Sequence, residues 1–231
     1  MSYFITGTDT GVGKTLIGCA LLRAFSAQGK RAVGFKPVAA GCDADGHNED
    51  GQHEDARQLR ASSNVPAAYG QVNPYCFAPA IAPHIAAQQS GVQINFARIM
   101  ASYRELAAQA DVVIVEGAGG FCVPLNDTQD SADLVHELNL PVILVVGMRL
   151  GCLNHALLST GEIAARGLSL AGWVANVMTD NMPALQENIT ALEKRIAAPL
   201  LGVIPYMPSP DAMAAVGRMN LELLTVSERH G

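Results

Sequence analysis

Near the start of this chain stands the segment Gly7-Thr-Asp-Thr-Gly-Val-Gly-Lys-Thr15. It follows a short apolar run, Tyr3 to Thr6, that predicts a buried strand, and it opens a helix predicted from Lys14 to Gln28. Free backbone N–H groups at a helix start point toward an anion, and the helix dipole favours negative charge there. Gly11 and Gly13 let the backbone curl without a Cβ in the way. The segment, called the phosphate loop below, therefore predicts a binding site for phosphate groups.

Two side chains at the end of the phosphate loop suit a nucleotide with its metal ion. Lys14 can neutralise the β- and γ-phosphates, and the Thr15 hydroxyl can ligate Mg²⁺. One departure from the usual G-x-x-x-x-G-K-[ST] spacing is present, because Thr8 stands where the first glycine is expected and Gly7 precedes it. The alternative is an ordinary glycine-rich turn with a chance Gly-Lys-Thr. The strand-loop-helix context favours the phosphate loop.

Apolar runs of strand length alternate with helical patterns along the rest of the chain. Because continuous aliphatic strands alternating with helices indicate a parallel sheet covered on both faces, the pattern predicts an α/β fold of mostly parallel strands flanked by helices. The length fits a single domain, 1–231. The predicted strands are Ala32 to Val38, Val112 to Val115, Val142 to Val146, Leu170 to Ala175 and Leu200 to Ile204. The predicted helices are Phe96 to Ala110, Ser131 to Leu138, Leu153 to Arg166 and Pro183 to Ala197.

Three charged residues are candidates for the same site, because ligands of parallel sheets bind beyond the carboxyl ends of the strands. Glu116 ends a predicted strand before a glycine-rich turn, where a carboxylate can hold Mg²⁺ directly or through water. Lys36 lies near the end of another strand and would face either an anion or the solvent. Asp55 follows that strand, and the alternative for it is a solvated charge at a helix start.

Two further segments follow predicted strands. Asn176 carries both a donor and an acceptor, which suits the edge of a nucleobase, and Ile204 to Tyr206 could form a wall around that base. Leu150 to His155 opens a helix and offers a second anion site, suitable for a carboxylate. The alternative for Asn154 in that segment is a helix cap.

Composition excludes several classes of function. Residues are 49% hydrophobic and 16% charged, which argues against disorder, and the net charge of −6 argues against nucleic-acid and anionic-membrane partners. No apolar stretch reaches membrane-spanning length and no signal peptide is visible. The five cysteines form no C-x-x-C pair, so we interpret them mainly as small buried hydrophobes in a reducing, cytoplasmic environment.

Taken in order, these segments resemble the dethiobiotin synthase family, from the first residues to about Leu224. Two of the matching segments are more particular to that family than the phosphate loop is, namely Leu150-Gly-Cys-Leu-Asn-His-Ala156 and Leu170-Ala-Gly-Trp-Val-Ala-Asn176. The other matches are Gly34-Phe-Lys-Pro-Val38, Val72-Asn-Pro-Tyr75, Pro83-His84, Val115-Glu-Gly-Ala-Gly-Gly120, Pro141-Val-Ile-Leu-Val-Val-Gly147 and Pro199-Leu-Leu-Gly-Val-Ile-Pro205.

The resemblance implies a homodimer of P-loop subunits that converts 7,8-diaminononanoate, CO₂ and ATP, with Mg²⁺, to dethiobiotin, ADP and phosphate. It implies catalytic roles for Thr10, Lys14 and Lys36, and metal ligands at Thr15, Asp55 and Glu116. The substrate contacts that it implies are Thr10, Lys36, Ala40, Leu150, Gly151, Cys152 and Asn154, with the substrate carboxylate held near the dimer interface. The nucleotide contacts are Gly11, Val12, Gly13, Lys14, Thr15, Leu16, Asp55, Glu116, Gly117, Ala118, Gly119, Asn176, Ile204, Pro205 and Tyr206.

The chain departs from the family pattern at two places. Ala40 stands where the family often has a serine, and Gly11 stands where it often has a glutamate. Neither change removes a metal ligand or a lysine, so both concern fine tuning. The match around Asp211 is loose, and an adenine contact there is left open.

Two other classes share the phosphate loop. A switch ATPase of the partitioning or septum-site type carries a signature lysine early in the loop, where this chain has Asp9, and often a basic or amphipathic surface. An amide synthetase of the cobyrinic acid type usually carries a glutaminase domain, for which 231 residues are too few. Both alternatives fit the sequence less well than the synthase.

Overall fold

The main sheet of the computed structural model has six strands in the order β2-β5-β1-β6-β7-β8, and every pair is parallel. The structure describes residues 1–42 and 51–226, with side chains to residue 224. A second sheet pairs β3 with β4, also in parallel. The strands are β1 Ser2–Gly7, β2 Ala32–Phe35, β3 Val38–Ala40, β4 Tyr75–Phe77, β5 Val112–Glu116, β6 Val142–Met148, β7 Leu170–Val177 and β8 Leu200–Ile204.

Both faces of the main sheet are buried. Successive side chains of a strand point to opposite faces, so a run of consecutive buried residues requires packing on both sides. In β1, Phe4 packs into one hydrophobic cluster, while Tyr3 and Ile5 pack into another with the helix that follows the phosphate loop. A third cluster surrounds Trp173 on the β7 strand. The predicted α/β class with helices on both faces is therefore confirmed.

Ten helices are described in residues 1–42 and 51–226, and none of them is long and apolar enough to cross a membrane. They are α1 Lys14–Ala27, α2 Glu54–Ser62, α3 Tyr69–Val72, α4 Pro83–Gln89, α5 Phe96–Ala107, α6 Ser131–Leu138, α7 Cys152–Ala165, α8 Leu185–Glu193, α9 Ala212–Val216 and α10 Glu222–Val226. The predicted bounds of α6 agree with these, and those of α1, α5 and α7 differ by one to three residues at an end. The α8 helix is shorter than predicted at both ends, and its late start follows Ala184, whose backbone is left-handed.

One predicted strand is wrong in its bounds. The apolar run Ala32 to Val38 is divided between β2 of the main sheet and β3 of the small sheet. Pro37 lies between them, and a proline has no N–H to donate to a sheet ladder. The break leaves Lys36 just beyond the carboxyl end of β2. Residues 43–50, which follow β3 and have a polar sequence, lie outside the described residues.

The cysteines only partly follow the prediction. Cys19 and Cys152 are buried and free, as expected of small hydrophobes, while Cys122 is free and exposed. Cys42 and Cys76 form a disulfide, with their Cα atoms 5.8 Å apart. The interpretation as unpaired hydrophobes is therefore wrong for these two. No local signal indicated the pair, because β3 and β4, which bring the two residues together, are separated by more than thirty residues.

Counting thiols tests this pair directly. Protein isolated without reductant and then unfolded should show three reactive thiols, from Cys19, Cys122 and Cys152. Reduction before unfolding should raise the number to all five cysteines of the chain. The measurement is a colorimetric thiol titration, with Cys76→Ser as a control that should show four thiols with or without reductant. Five thiols in the unreduced wild type would contradict the disulfide.

Candidate active site

The phosphate loop joins β1 to α1 as the sequence predicts. Its glycines are required by the backbone, because Gly11 and Gly13 have φ angles of 72° and 93°, in the left-handed region that favours glycine. A Cβ on Gly7 would collide with the Val12 side chain. Gly7, which precedes the position where the usual spacing has its first glycine, is thus the residue that lets the loop fold back on itself. Within the loop, the Thr8 backbone N–H donates to the Val145 carbonyl of β6 (3.0 Å).

Lys14 is buried at the first turn of α1, with 6% of its surface exposed. Its Nζ donates to the Asp9 carbonyl across the loop at 3.0 Å. Burial, and after it the nearby charge of Lys36, lowers the pKa of Lys14 to about 8. An ammonium with so few partners is suited to receive an anion, since a phosphate would restore the favourable environment that burial removed.

This lowered pKa predicts how nucleotide binding depends on pH. Lys14 is charged below its pKa of about 8 and neutral above it, so affinity for a phosphate anion should be lost as the pH rises. We expect the affinity for ADP to fall about tenfold between pH 7 and pH 9, the change in the charged fraction of such a lysine. The measurement is the dissociation constant of a fluorescent ADP analogue, determined by titration at each pH. Lys14→Arg, whose guanidinium stays charged, should give a flatter profile. A flat wild-type profile would contradict the prediction.

A buried charge cluster lies beside the loop. Lys36 Nζ contacts Glu116 Oε1 at 2.6 Å and Asp55 Oδ2 at 2.8 Å. Lys36 and Glu116 are 3% and 0% exposed, and the Asp55 side chain is 32% exposed. The contact of Lys36 with Glu116 follows from the pairing of β2 with β5. Phe35 is opposite Val115 in this register, so the residues that follow them, Lys36 and Glu116, lie side by side. Three residues predicted independently from the sequence therefore meet at one point.

The charges of this cluster stabilise one another. Burial opposes charge on Lys36, but Glu116 and then Asp55 hold its pKa above the ordinary value of a lysine. Burial likewise opposes charge on Asp55, and Lys36 nevertheless lowers its pKa to about 2. For Glu116, burial raises the pKa, with Lys36 acting in the opposite direction. The alternative of Asp55 as a solvated surface charge does not fit these contacts.

Oxygen ligands for a divalent ion converge here. The Thr15 hydroxyl donates to Glu116 Oε1 at 3.0 Å, which joins the phosphate loop to the cluster. Glu116 Oε2 is buried and has no hydrogen-bond partner among the described residues. A hydroxyl and two carboxylates are the hard oxygen donors that Mg²⁺ takes alongside nucleotide phosphates. Thr15, Asp55 and Glu116 thus fit the predicted ion. No group of three or more His, Cys, Asp or Glu occurs in residues 1–42 and 51–226 that could hold a metal without a nucleotide.

Backbone contacts hold the cluster in place, and the sequence did not predict them. The Asn73 side chain, 3% exposed, donates to the Lys36 carbonyl at 2.7 Å. The Lys36 N–H donates to the Val72 carbonyl at 2.8 Å. His53 Nδ1 accepts from the Asp55 N–H at 3.2 Å and so caps α2. The Val72-to-Tyr75 match to the family was the available signal for Asn73. His53 offered none, because serine, threonine, aspartate and asparagine are the usual caps.

The base-binding candidates lie on two neighbouring strands. Asn176 and Ile204 are paired in the register of β7 and β8. The Asn176 amide donates to the Val12 carbonyl at 2.8 Å, so it also braces the phosphate loop. Ile204 is fully buried, and Tyr206 is 42% exposed. Adenine contacts from Asn176 and from Ile204 to Tyr206 stay a prediction.

The segment after β6 faces the phosphate loop. Gly151, with a φ angle of 91°, turns the chain into α7, where Cys152 is buried and Asn154 is exposed. Leu150 is fully exposed. Arg149, which the sequence did not single out, forms an ion pair with Asp9 of the phosphate loop. The predicted carboxylate site is therefore tied directly to the predicted phosphate site.

The remaining candidates lie in the turn after β5, at the end of β3 and in the first turn of α1. The turn Gly117 to Gly119 follows β5, and a Cβ on Gly119 would lie 3.5 Å from Thr10 Oγ1. Ala40 ends β3. Leu16 lies in the first turn of α1. Their contacts with ligands stay predictions.

Comparison with known proteins identifies the family. Residues 1–214 match the family model described as an AAA domain. A protein of Aromatoleum aromaticum described as ATP-dependent dethiobiotin synthetase BioD is 53% identical over 220 residues, which cover 95% of this chain and 97% of that protein. A protein of Nitrosospira multiformis with the same description is 54% identical, over 91% of this chain and 90% of that protein.

The chain belongs to the dethiobiotin synthetase family. Solved structures show that its fold is more widely shared. The MinC:MinD cell division complex of Aquifex aeolicus contains a chain that matches with a TM-score of 0.56 at 13% identity, over 99% of this chain and 94% of that chain. That likeness concerns the fold alone. Identity near one half over almost the full length places the chain with the dethiobiotin synthetases rather than with the septum-site ATPases.

Proposed function

We propose that this chain catalyses the ATP-dependent closure of a ureido ring, converting 7,8-diaminononanoate and CO₂ to dethiobiotin, with ADP and phosphate as the other products. One observation of the site carries the proposal: the buried Lys36 lies beside Glu116 and Asp55 at the edge of a phosphate loop. Such a site can bind a nucleotide, fix its phosphates and present a positive charge to a second anion. The near-full-length similarity to dethiobiotin synthetases selects the substrates.

The reaction has three steps that balance. One amine of the diamine attacks CO₂ and loses a proton, which gives a carbamate. The carbamate oxygen attacks the γ-phosphorus, the bond to the β-phosphate oxygen breaks, and ADP leaves with that electron pair. The second amine then attacks the carbonyl carbon of the mixed anhydride, loses a proton as the C–N bond closes the ring, and expels phosphate with the electron pair of the C–O bond that breaks. Each step gathers negative charge on oxygen atoms, so fixed positive groups lower the barriers.

Lys14 and Lys36 have different roles in these steps. Lys14, buried at the start of α1, holds the β- and γ-phosphates. Lys36 holds the carbamate against the γ-phosphate, and Thr10, beside Gly119, lines the same place. Thr15, Asp55 and Glu116 would hold Mg²⁺. When bound, the ion neutralises oxygens of the β- and γ-phosphates.

Substrate binding extends to α7 and to a second subunit. The helix start from Leu150 to Asn154 would bind the carboxylate of the diamine, because the N-terminus of a helix favours an anion. Leu150, just before α7, and Leu158, within it, are 101% and 66% exposed, and apolar side chains this exposed suit a homodimer interface beside that site. We further propose that adenine lies against Asn176 and Ile204 to Tyr206, and that the enzyme is cytoplasmic with 1–231 as one domain.

A single assay tests the reaction. Purified protein is incubated with Mg²⁺, ATP, labelled bicarbonate and 7,8-diaminononanoate, and then acidified. A carbamate loses CO₂ in acid, whereas the closed ring keeps it, so we expect acid-stable label that requires both ATP and the diamine. An absence of product, with ATP hydrolysis that rises with protein concentration or with added lipid or DNA, would favour a switch ATPase instead.

Asp55→Asn should weaken Mg²⁺ binding and so test whether Asp55 is a metal ligand. Because one of two carboxylates that would hold Mg²⁺ is lost, we expect the Mg²⁺ concentration for half-maximal turnover to rise about tenfold or more. The measurement is the Mg²⁺ dependence of turnover at saturating ATP. Glu54→Gln, which neutralises the neighbouring exposed carboxylate, is the matched control and should leave that dependence unchanged. An unaltered Mg²⁺ dependence in Asp55→Asn would show that Asp55 holds no metal.

A further inference from the structure

The Lys36 ammonium has no donor left for a phosphate in the arrangement described above. An ammonium has three donors, and Nζ contacts three acceptors: Glu116 Oε1 at 2.6 Å, Asp55 Oδ2 at 2.8 Å and the Gly117 carbonyl at 3.4 Å. The proposed function, on which this inference rests, requires Lys36 to face the carbamate and the γ-phosphate. At least one of these three contacts must therefore be given up during the reaction, and the two shorter ones are to carboxylates.

The same oxygens are the ones that would hold Mg²⁺. Glu116 Oε1 already accepts from both Lys36 and the Thr15 hydroxyl, and Thr15 is itself one of the three proposed metal ligands. A dication and an ammonium on one buried oxygen would stand only about 3–4 Å apart, a distance at which like charges repel strongly in a medium of low polarity. The two cations can occupy this place only in turn.

Charge balance explains why the exchange would need the nucleotide. Without Lys36, Glu116 would be a fully buried negative charge beside the partly exposed Asp55, and proteins rarely leave a buried charge uncompensated. If the dication binds the carboxylates, Lys36 loses its counter-ions. Because its ammonium is buried, at 3% exposure, it then needs another anion. The γ-phosphate on the neighbouring phosphate loop supplies one.

We infer that Lys36 is an internal counter-ion of the metal site: it holds Glu116 and Asp55 until Mg²⁺ arrives with the nucleotide, and the exchange releases its ammonium toward the transferring phosphoryl group. Lys36 is thus a positioning residue before the reaction and a catalytic residue during it. Metal and nucleotide bind together, and the metal alone binds weakly because it must displace a paired ammonium.

Metal binding without nucleotide tests the competition. Free Mn²⁺, a spectroscopic substitute for Mg²⁺, is measured by electron paramagnetic resonance in titrations of wild type, Lys36→Met and Lys30→Met. Removal of the competing ammonium should make Lys36→Met bind Mn²⁺ roughly tenfold tighter or more than wild type. Lys30→Met, the same change at an exposed lysine, should match wild type. Equal or weaker Mn²⁺ binding by folded Lys36→Met would overturn the inference.

A measurement on the wild type covers the case in which Lys36→Met does not fold. The sequence has four lysines, at positions 14, 30, 36 and 194, so protein labelled with ¹⁵N-lysine gives a simple ammonium spectrum. Lys30 and Lys194 are exposed and exchange their protons quickly, and Lys14→Met separates the two buried signals. The Lys36 signal should be unmoved by Mg²⁺ alone or by AMP-PNP in EDTA, and should shift when both are present. No shift with both, or a full shift with AMP-PNP in EDTA, would overturn the inference.

These outcomes are independent of the reaction assay. The titrations and spectra contain neither diamine nor CO₂, so the counter-ion role can fail in a chain that forms dethiobiotin. It can equally hold in a chain that binds ATP and Mg²⁺ but forms no dethiobiotin.

Discussion

Lys36→Ala should lower the turnover of dethiobiotin formation roughly 10²- to 10³-fold, the usual effect of removing one preorganised positive or hydrogen-bonding group from the reacting centre. Lys36 is assigned to the carbamate and the γ-phosphate, where charge develops during the reaction. Nucleotide affinity should change little, because Lys14 and the loop backbone hold the β-phosphate. The measurements are turnover at saturating substrates and the dissociation constant of ADP.

The same substitution leaves Glu116 and Asp55 without their buried counter-ion. Breaking such a pair costs about 3–5 kcal/mol of stability, so assays should be run below the melting temperature that circular dichroism gives for the variant. Lys30→Ala removes an exposed lysine and should leave both turnover and melting unchanged. Near-normal turnover by Lys36→Ala would show that its assigned role is wrong.

Gly13→Ala should be the most damaging single-methyl change in the phosphate loop. The φ angle of Gly13 is 93°, a conformation that costs an L-residue about 1–2 kcal/mol. The new Cβ would also overlap Asn176 Nδ2, and overpacking of this kind typically costs a further 1–3 kcal/mol. We expect a loss of about 2–5 kcal/mol in the free energy of unfolding, by adding these two contributions, and ADP binding should weaken with the distorted loop.

Two further variants separate strain from overlap. Gly11 has a similar φ angle of 72°, but a Cβ there would meet open space. Gly11→Ala should therefore lose only the part of the unfolding free energy that is due to backbone strain. Gly13→Ala combined with Asn176→Ala removes the overlapping amide and should recover part of the stability. Chemical denaturation measures all three. If Gly13→Ala cost no more than Gly11→Ala, the close approach of Asn176 to the loop would be wrong.

The elements that the sequence predicted are those whose signals are local. The β1 strand, the phosphate loop and α1 follow from an apolar run, fixed glycines and helical spacing within thirty residues. The β7 and β8 strands follow from short aliphatic runs, and α6 was predicted to the residue. The β4 strand and α4 were missed, because three- and seven-residue elements carry too little periodicity to be distinguished from a loop.

Local sequence also identified Lys36 and Glu116 as charged residues near strand ends, whereas Asp55 was assigned to the site only by the family resemblance. Whether they meet depended on the strand order, in which β2 lies next to β5 although some eighty residues separate Lys36 from Glu116. Sheet order is set by how helices pack on both faces and by how the crossovers close, and no local pattern encodes that. The ion pairs of Lys36, the disulfide of Cys42 with Cys76 and the link from Arg149 to Asp9 were therefore decided only by the tertiary structure.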